Sequence, residues 1–412
     1  MIKINKIDLN LFNLELASLI LFIFFLPSFE APKNIFLLLY LFLAFLRQIK
    51  LGAFKKIVAS DVVYLTLIIS IICTLFFSGF ETLHRLKSIS HSLTLFLFGL
   101  ILSRSNYSEK ELKRVFDVSI YGSIPPLIYT FYNFYISHEL SRFELHSVGF
   151  VNHTAIYLCI IFGACFSKFL AFKRIEKKHV FLLCVLLFAI AATLSRAALF
   201  GVLVIITCIT LINLNLERVK RYFIVPILLT ISLIMNPGVI EKQINNQKDH
   251  IILSYREKVW NIGIEAFRWF PVFGVGLDNW PLITPDRLQA SLESKGKAYI
   301  PNEYYFTSHA HNIYLTYLTE RGLIGFSALI LLMTFWSSVI IKTLRADFYF
   351  RNSFAKTIQG ASLAAFITVF FVGLFNTTLH HEHGLLSIFY FSLNIIYLRL
   401  HSKQKNQLKL FN

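Results

Sequence analysis

The stretch HVFLLCVLLFAIAATLSRAALFGVLVIITCITLIN, residues 179–213, is apolar almost throughout, and only Ser195-Arg196 interrupts it. No Gly or Pro stands beside that pair to mark a turn. As one helix, at 1.5 Å per residue, it would run to roughly 50 Å, well beyond the ~30 Å hydrocarbon core of a bilayer. The stretch therefore reads as two membrane-crossing helices meeting at Ser195-Arg196, which puts Arg196 at a membrane face.

Working outward, comparable apolar runs stand at about 14–29, 33–47, 60–80, 89–103, 115–136, 148–170, 222–238, 323–341, 356–376 and 384–399. The expected fold is thus all-α, a polytopic membrane protein of about twelve transmembrane helices with one large external loop that itself contains helices. A chain of 412 residues with 56% hydrophobic, 16% aromatic and 15% charged residues fits this class and excludes a soluble protein. Alternate connections are basic: Arg47/Lys50/Lys55/Lys56, Arg104/Lys110/Lys113/Arg114, Lys173/Arg174/Lys177/Lys178, Arg218/Lys220/Arg221, Lys342/Arg345/Arg351/Lys356 and Arg399/Lys403/Lys405/Lys409. By the positive-inside rule these are cytoplasmic, with both termini inside. Sidedness then accounts for the formal charge of +17, and no nucleic-acid partner is implied. All five cysteines lie inside apolar runs without paired spacing and read as packing residues. Lys3 and Lys6 precede the first run, but Asp8 and Glu15 intrude and no small-residue cleavage site follows, so an uncleaved first span is expected.

The chain divides into helices one to nine over 1–238, the external loop over 239–310, and a helical extension with the last three spans over 311–412. Within the loop, Ile252, Tyr255, Val259, Ile262 and Ala266 recur at spacings of three and four, as on a helix lying on the membrane surface or against the bundle. Pro271 ends that helix, Phe273-Gly274-Val275-Gly276 follows as a tight backbone segment, and 285–308 is polar without periodicity.

Ser308-His309-Ala310-His311-Asn312 closes the loop, with Gly322 and Gly325 beyond it. On a continuous helix, eleven residues return to within about 20° of the start, so His311 and Gly322 would share a face, with Gly325 about 40° away. Glu320 and Arg321 are costly at mid-bilayer, which places 311–321 as a helical extension above the membrane. His311 then projects into an external cavity, either as a general base or as a hydrogen-bonded histidine at a helix start. His380-His381-Glu382-His383 has the residue types of a metal site, but adjacent histidines point apart, and no metal is expected there. Arg196 and Arg256 are candidate anion ligands, with headgroup snorkelling as the competing role. Gly274-Val275-Gly276 lacks the third glycine and the strand-to-helix context of a phosphate loop, so nucleotide hydrolysis is not expected.

These residues resemble the O-antigen ligases, within the ligase/polymerase superfamily of polytopic envelope glycosyltransferases. Ser195-Arg196-Ala197-Ala198 is similar to that family's arginine-bearing segment. Arg256 with Trp260, then Pro271, Gly274 and Gly276, looks like its loop signature. His311-Asn312, nine residues, then Gly322 and Gly325 looks like its most specific motif, and Gly149-Phe150-Val151-Asn152-His153 is a weaker match. The likeness covers about 180–330.

It implies transfer of a glycan from an undecaprenyl pyrophosphate carrier to a sugar hydroxyl of lipid A-core, at the periplasmic face of the bacterial inner membrane. No metal, ATP or other cofactor is implied. The partners are then the carrier-linked glycan, the lipid A-core oligosaccharide and membrane lipids. His311 would be the catalytic base, Arg196 and Arg256 the pyrophosphate ligands, and Asn312, Gly322, Gly325, Trp260, Gly274 and Gly276 supporting residues. An O-antigen polymerase is the neighbouring alternative and a twelve-span transporter the alternative of another class, although no paired broken helices stand at corresponding positions in two halves.

Overall fold

The computed structural model describes residues 6–81, 85–172, 176–214, 219–238, 241, 244 and 255–408. Ile252, Lys173, Arg174, Arg218 and most of 239–254 lie outside the described residues. Regular structure among the described residues is entirely helical. In chain order the main helices are α1 (Lys6–Phe25), α2 (Glu30–Lys50), α3 (Ala59–Phe77), α4 (Leu86–Arg104), α5 (Glu109–Tyr121), α6 (Ile124–Phe131), α7 (Val151–Ala171), α8 (Lys177–Ala192), α9 (Arg196–Ile212), α10 (Val219–Ile234), α11 (Arg256–Trp269), α12 (Pro285–Ser294), α13 (Ile313–Leu344), α14 (Asp347–Arg351), α15 (Ser353–Phe366) and α16 (His381–Leu408).

Among the described residues, seven helices are long and apolar enough to cross a membrane: Glu30–Lys50, Ala59–Phe77, Leu86–Arg104, Val151–Ala171, Ile313–Leu344, Ser353–Leu374 and His381–Ser402. Leu9–Phe25, Arg196–Ile212 and Arg221–Ile234 are shorter apolar helices. The break at Ser195-Arg196 falls where expected: α8 stops at Ala192, Leu194 takes φ 54°, and α9 starts on Arg196. The run at 115–136 is not one continuous helix. It stops at Tyr121 and restarts at Ile124, because Pro125 and Pro126 lack the N–H groups a continuing helix would need, and it ends in a wide π turn over Tyr132–Ile136.

The bundle carries its apolar surface outward and its polar groups inward. Ile35, Leu38, Phe42 and Ile69 are exposed, while buried Asn394 donates to Gln359 at 2.8 Å and Thr343 donates to Asn394 at 3.1 Å. That arrangement suits a hydrocarbon solvent, where internal polar groups must find internal partners. The connections also sort by end. At one end Arg104 donates to Lys56 O, Arg399 to Ser105 O, Asn352 to Glu109 and Tyr349 to Asn213, gathering the basic connections. At the other, Lys33 pairs with Glu382, Ser88 with Asp278, and Gly79 with Gly274.

At this second end, residues 255–315 enclose a small core of their own, built from Val259, Ile262, Ala266, Val275, Trp280 and Leu288 among others. The face expected from Val259, Ile262 and Ala266 is the one α11 buries, and α11 packs against α13. Tyr255 precedes α11 in a left-handed conformation. The polar stretch after 285, which shows no clear periodicity in the sequence, forms α12 over its first ten residues. Thr284 caps it by accepting from Arg287 N, and Pro285 opens its first turn.

Candidate active site

The helix that follows His311 begins with Asn312, whose side chain accepts from Leu315 N at 3.0 Å. It runs only to Arg321. Gly322 takes φ 60° and ψ −161°, a region open almost solely to glycine, and divides α13 into a short upper helix and a longer lower one. This break overturns the expectation that His311, Gly322 and Gly325 share one helical face: His311 itself has φ 50° and precedes the helix, and the helical geometry lapses at Gly322.

The glycines serve a backbone interlock. Residues 271–276 cross the break, with Leu323 N donating to Pro271 O at 2.8 Å, Val275 N to Thr319 O at 2.9 Å and Gly276 N to Glu320 O at 3.0 Å. Gly274, at φ 74°, lies against the Glu320–Arg321 peptide, and Gly322 lies against the Val272 carbonyl. Gly325 plays a separate part, since a Cβ there would overlap the Arg321 side chain.

The interlock holds His311 beside His309, their ring centroids 4.1 Å apart. His309 Nδ1 shares a hydrogen bond of 2.9 Å with Ser308 Oγ, and its carbonyl accepts from Thr307 at 2.7 Å. Burial, then the neighbouring His309 and Arg256, push the His311 pKa down to about 3. Its imidazole is therefore neutral at pH 7, with a lone pair available to take a proton.

Arg256, on the first turn of α11, is half-buried, and its Nε has no hydrogen-bond partner. Burial and the nearby Arg196 charge hold its pKa below the ordinary value. Residues sixty apart in sequence thus bring two guanidinium groups into electrostatic range of each other, and the second of them into range of His311. A planar guanidinium fork is the side-chain chemistry that pairs with phosphate or carboxylate oxygens. Trp260 packs against the small core of 255–315, with its indole N–H buried and unpartnered.

His311 borders a cavity of about 470 Å³. Its walls come from the start of α4 (Ser88, His91, Ser92), the start of α7 (Asn152, His153), the upper part of α13 (Tyr317, Glu320, Arg321) and the connection into α16 (Asn376 to His381). Sequence reasoning singled out His311 but assigned no role to Asp278, Glu320, Arg321 or Asn376. Periodicity could not have joined them, because they come from distant segments. Arg321 carried one usable signal, a charge among apolar residues immediately before the helix break.

His380 and His381 line this cavity, and the expectation that adjacent histidines point apart does not hold, since their ring centroids are 4.5 Å apart and His383 lies 4.7 Å from His380. The His153 ring lies 4.8 Å from His380 and 5.2 Å from His381. Glu382 turns away to pair with Lys33. Among the described residues, no three His, Cys, Asp or Glu side chains are placed to hold a metal ion.

Residues 179–330 match the family model described as O-antigen ligase. No curated protein matches the chain. The Ser195-Arg196 break, Arg256, the Gly274–Gly322 interlock and His311 all fall within the match, and over these residues the chain is similar to the O-antigen ligase family.

Proposed function

We propose that this protein transfers a glycan from an undecaprenyl pyrophosphate carrier to a sugar hydroxyl of lipid A-core, at the periplasmic face of the bacterial inner membrane. In this reading about twelve helical segments cross the bilayer, the basic connections and both termini face the cytoplasm, and the loop at 239–310 with the cavity faces the periplasm. The observation that carries it is the position of His311, which borders the cavity and also feels the charge of Arg256. A base is thereby set between the two guanidinium groups and a cavity of about 470 Å³, roomy enough for sugar residues.

The acceptor hydroxyl oxygen attacks the anomeric carbon of the donor, and its proton passes to the His311 imidazole. The bond from that carbon to the pyrophosphate oxygen breaks, and its electron pair leaves with undecaprenyl pyrophosphate. Arg196 and Arg256 stabilise the charge that develops on the departing oxygen. Donor binding also offsets the charge of Arg256, the last of the three causes that depress His311 after burial and His309, so the base gains some strength when a donor is present. The glycosyl pyrophosphate bond supplies the driving force, and the chemistry calls for neither nucleotide nor metal.

The test is deletion of the gene followed by analysis of lipopolysaccharide and carrier-linked glycan. A ligase mutant accumulates long polymer on the carrier with bare core, and complementation by the wild type restores the capped form while His311→Ala does not. Core bearing a single repeat in the mutant would instead identify a polymerase.

A further inference from the structure

Arg321 is 7% exposed, lines the cavity, and leaves its Nη1 without a hydrogen-bond partner. Its guanidinium lies over the Tyr317 ring at 4.4 Å, and Nη2 reaches Ser92 Oγ at 3.4 Å. Space for the side chain exists because residue 325 is glycine. Asn376, from the connection into α16, lines the same cavity, is 2% exposed and holds an unpartnered Nδ2. Both orphan groups are hydrogen-bond donors, so the missing partner is an acceptor oxygen.

A buried guanidinium with an unmade hydrogen bond is costly to maintain. Two carboxylates border the cavity: Glu320, beside Arg321 and in range of its charge, accepts from Asp278 N at 3.1 Å, and Asp278 accepts from Ser88 Oγ at 2.7 Å, while Arg321 Nη1 stays without a partner. Arg321 and Asn376 are also distinct from the Arg196/Arg256 pair, which is not among the residues lining the cavity. If the pair takes the donor pyrophosphate, as the proposed reaction requires, the acceptor approaches His311 from the cavity side.

Resting on that reading, we propose that Arg321 and Asn376 form an oxyanion subsite that selects acceptors carrying a phosphate or carboxylate near the reacting hydroxyl. The planar guanidinium meets two oxygens of the acid group, and the Asn376 amide supplies a third donor. This anchors the acceptor sugar so that its hydroxyl stands at the His311 imidazole. Arg321 thereby determines which glycan is accepted and leaves the bond-making step to His311.

The experiment uses the full-length protein in nanodiscs with carrier-linked glycan as donor and three acceptor preparations. These are native lipid A-core, the same material stripped of phosphates with aqueous hydrogen fluoride, and the same material with its carboxyl groups reduced through carbodiimide and borohydride. The wild type should lose about ten- to a hundredfold in kcat/KM, chiefly through KM, on one of the two treated acceptors, the size of a hydrogen bond to a charged group. Which arm falls identifies phosphate or carboxylate.

Arg321→Gln should show that same loss on the native acceptor and no further loss on the stripped one. Arg321→Lys should fall between, and neither variant should melt lower than the wild type. Equal use of all three acceptors by the wild type overturns the proposal. So does a uniform loss by Arg321→Gln that repeats on every acceptor, or a lowered melting temperature accompanying it, since both mark a structural role. If the wild type transfers to none of the three, the ligase reading fails and takes the acceptor assignment with it; brisk transfer that ignores the acid group refutes the subsite alone.

Discussion

Gly274 and Gly322 are mutually locked: the backbone on either side of each occupies the space where a side chain on the other's segment would stand. Both have positive φ, 74° and 60°. The lock ties the 255–310 region to the top of a spanning helix and sets the direction in which the His311 segment enters the upper helix. Gly322→Ala should cost about 1–3 kcal/mol from backbone strain alone, with the collision against Val272 added. The expected result is a lower melting temperature in detergent and reduced membrane abundance. A wild-type melting curve for Gly322→Ala would show that the crossing relaxes at no cost.

Arg256 provides the second prediction. Its planar fork can pair with two phosphate oxygens at once, and a lysine ammonium in the same place is a point charge. Arg256→Lys should lose about 2–4 kcal/mol of transition-state stabilisation, by comparison with removal of one oxyanion donor. The assay is transfer to purified lipid A-core at matched protein level. Near-normal turnover in the Lys variant would reduce Arg256 to an interfacial anchor.

The helices were legible in the sequence because burial in a bilayer leaves a compositional mark on every turn. The break at Ser195-Arg196 was legible for the same reason, as no single helix of that length fits the membrane. The break at Gly322 was harder to see. A lone glycine in an apolar helix is usually compatible with helical geometry, and what bends the chain here is the Pro271–Gly276 segment crossing from fifty residues away. His311 was found through its motif, but the helical-face argument for it was wrong, since a capping Asn312 starts the helix one residue too late. Arg321, Asn376 and His153 reach the cavity from three separate segments, a proximity that follows only from tertiary packing.

Sidedness gives a third prediction. Lys297 is exposed in the region between α12 and α13, at the end of the molecule opposite the basic connections. A single cysteine placed there should react with a membrane-impermeant maleimide in intact spheroplasts. Labelling that appears only after the inner membrane is permeabilised would invert the topology and overturn the proposed function with it.

The two neighbouring histidines give the fourth, through pH. His311 is held at about 3 in the folded protein, against about 6.5 in an unfolded chain. Between those values the unfolded state binds the extra proton, so this group makes stability fall as pH drops from about 6.5 toward 3 and adds no pH dependence above that window. His311→Ala should therefore melt with less acid sensitivity than the wild type, while transfer falls by about 10²–10⁴-fold, the usual contribution of a general base. In kinetics, kcat/KM reports the free enzyme and kcat the donor-loaded one. Because bound pyrophosphate neutralises Arg256, the acid limb of kcat should lie at higher pH than that of kcat/KM. His309→Ala should keep activity between wild type and His311→Ala and move both acid limbs upward, since the His309 charge is among the causes of the depression. Acid limbs that coincide, and stay put in His309→Ala, would separate His311 from both the arginine and its neighbouring ring and leave it without the role of base.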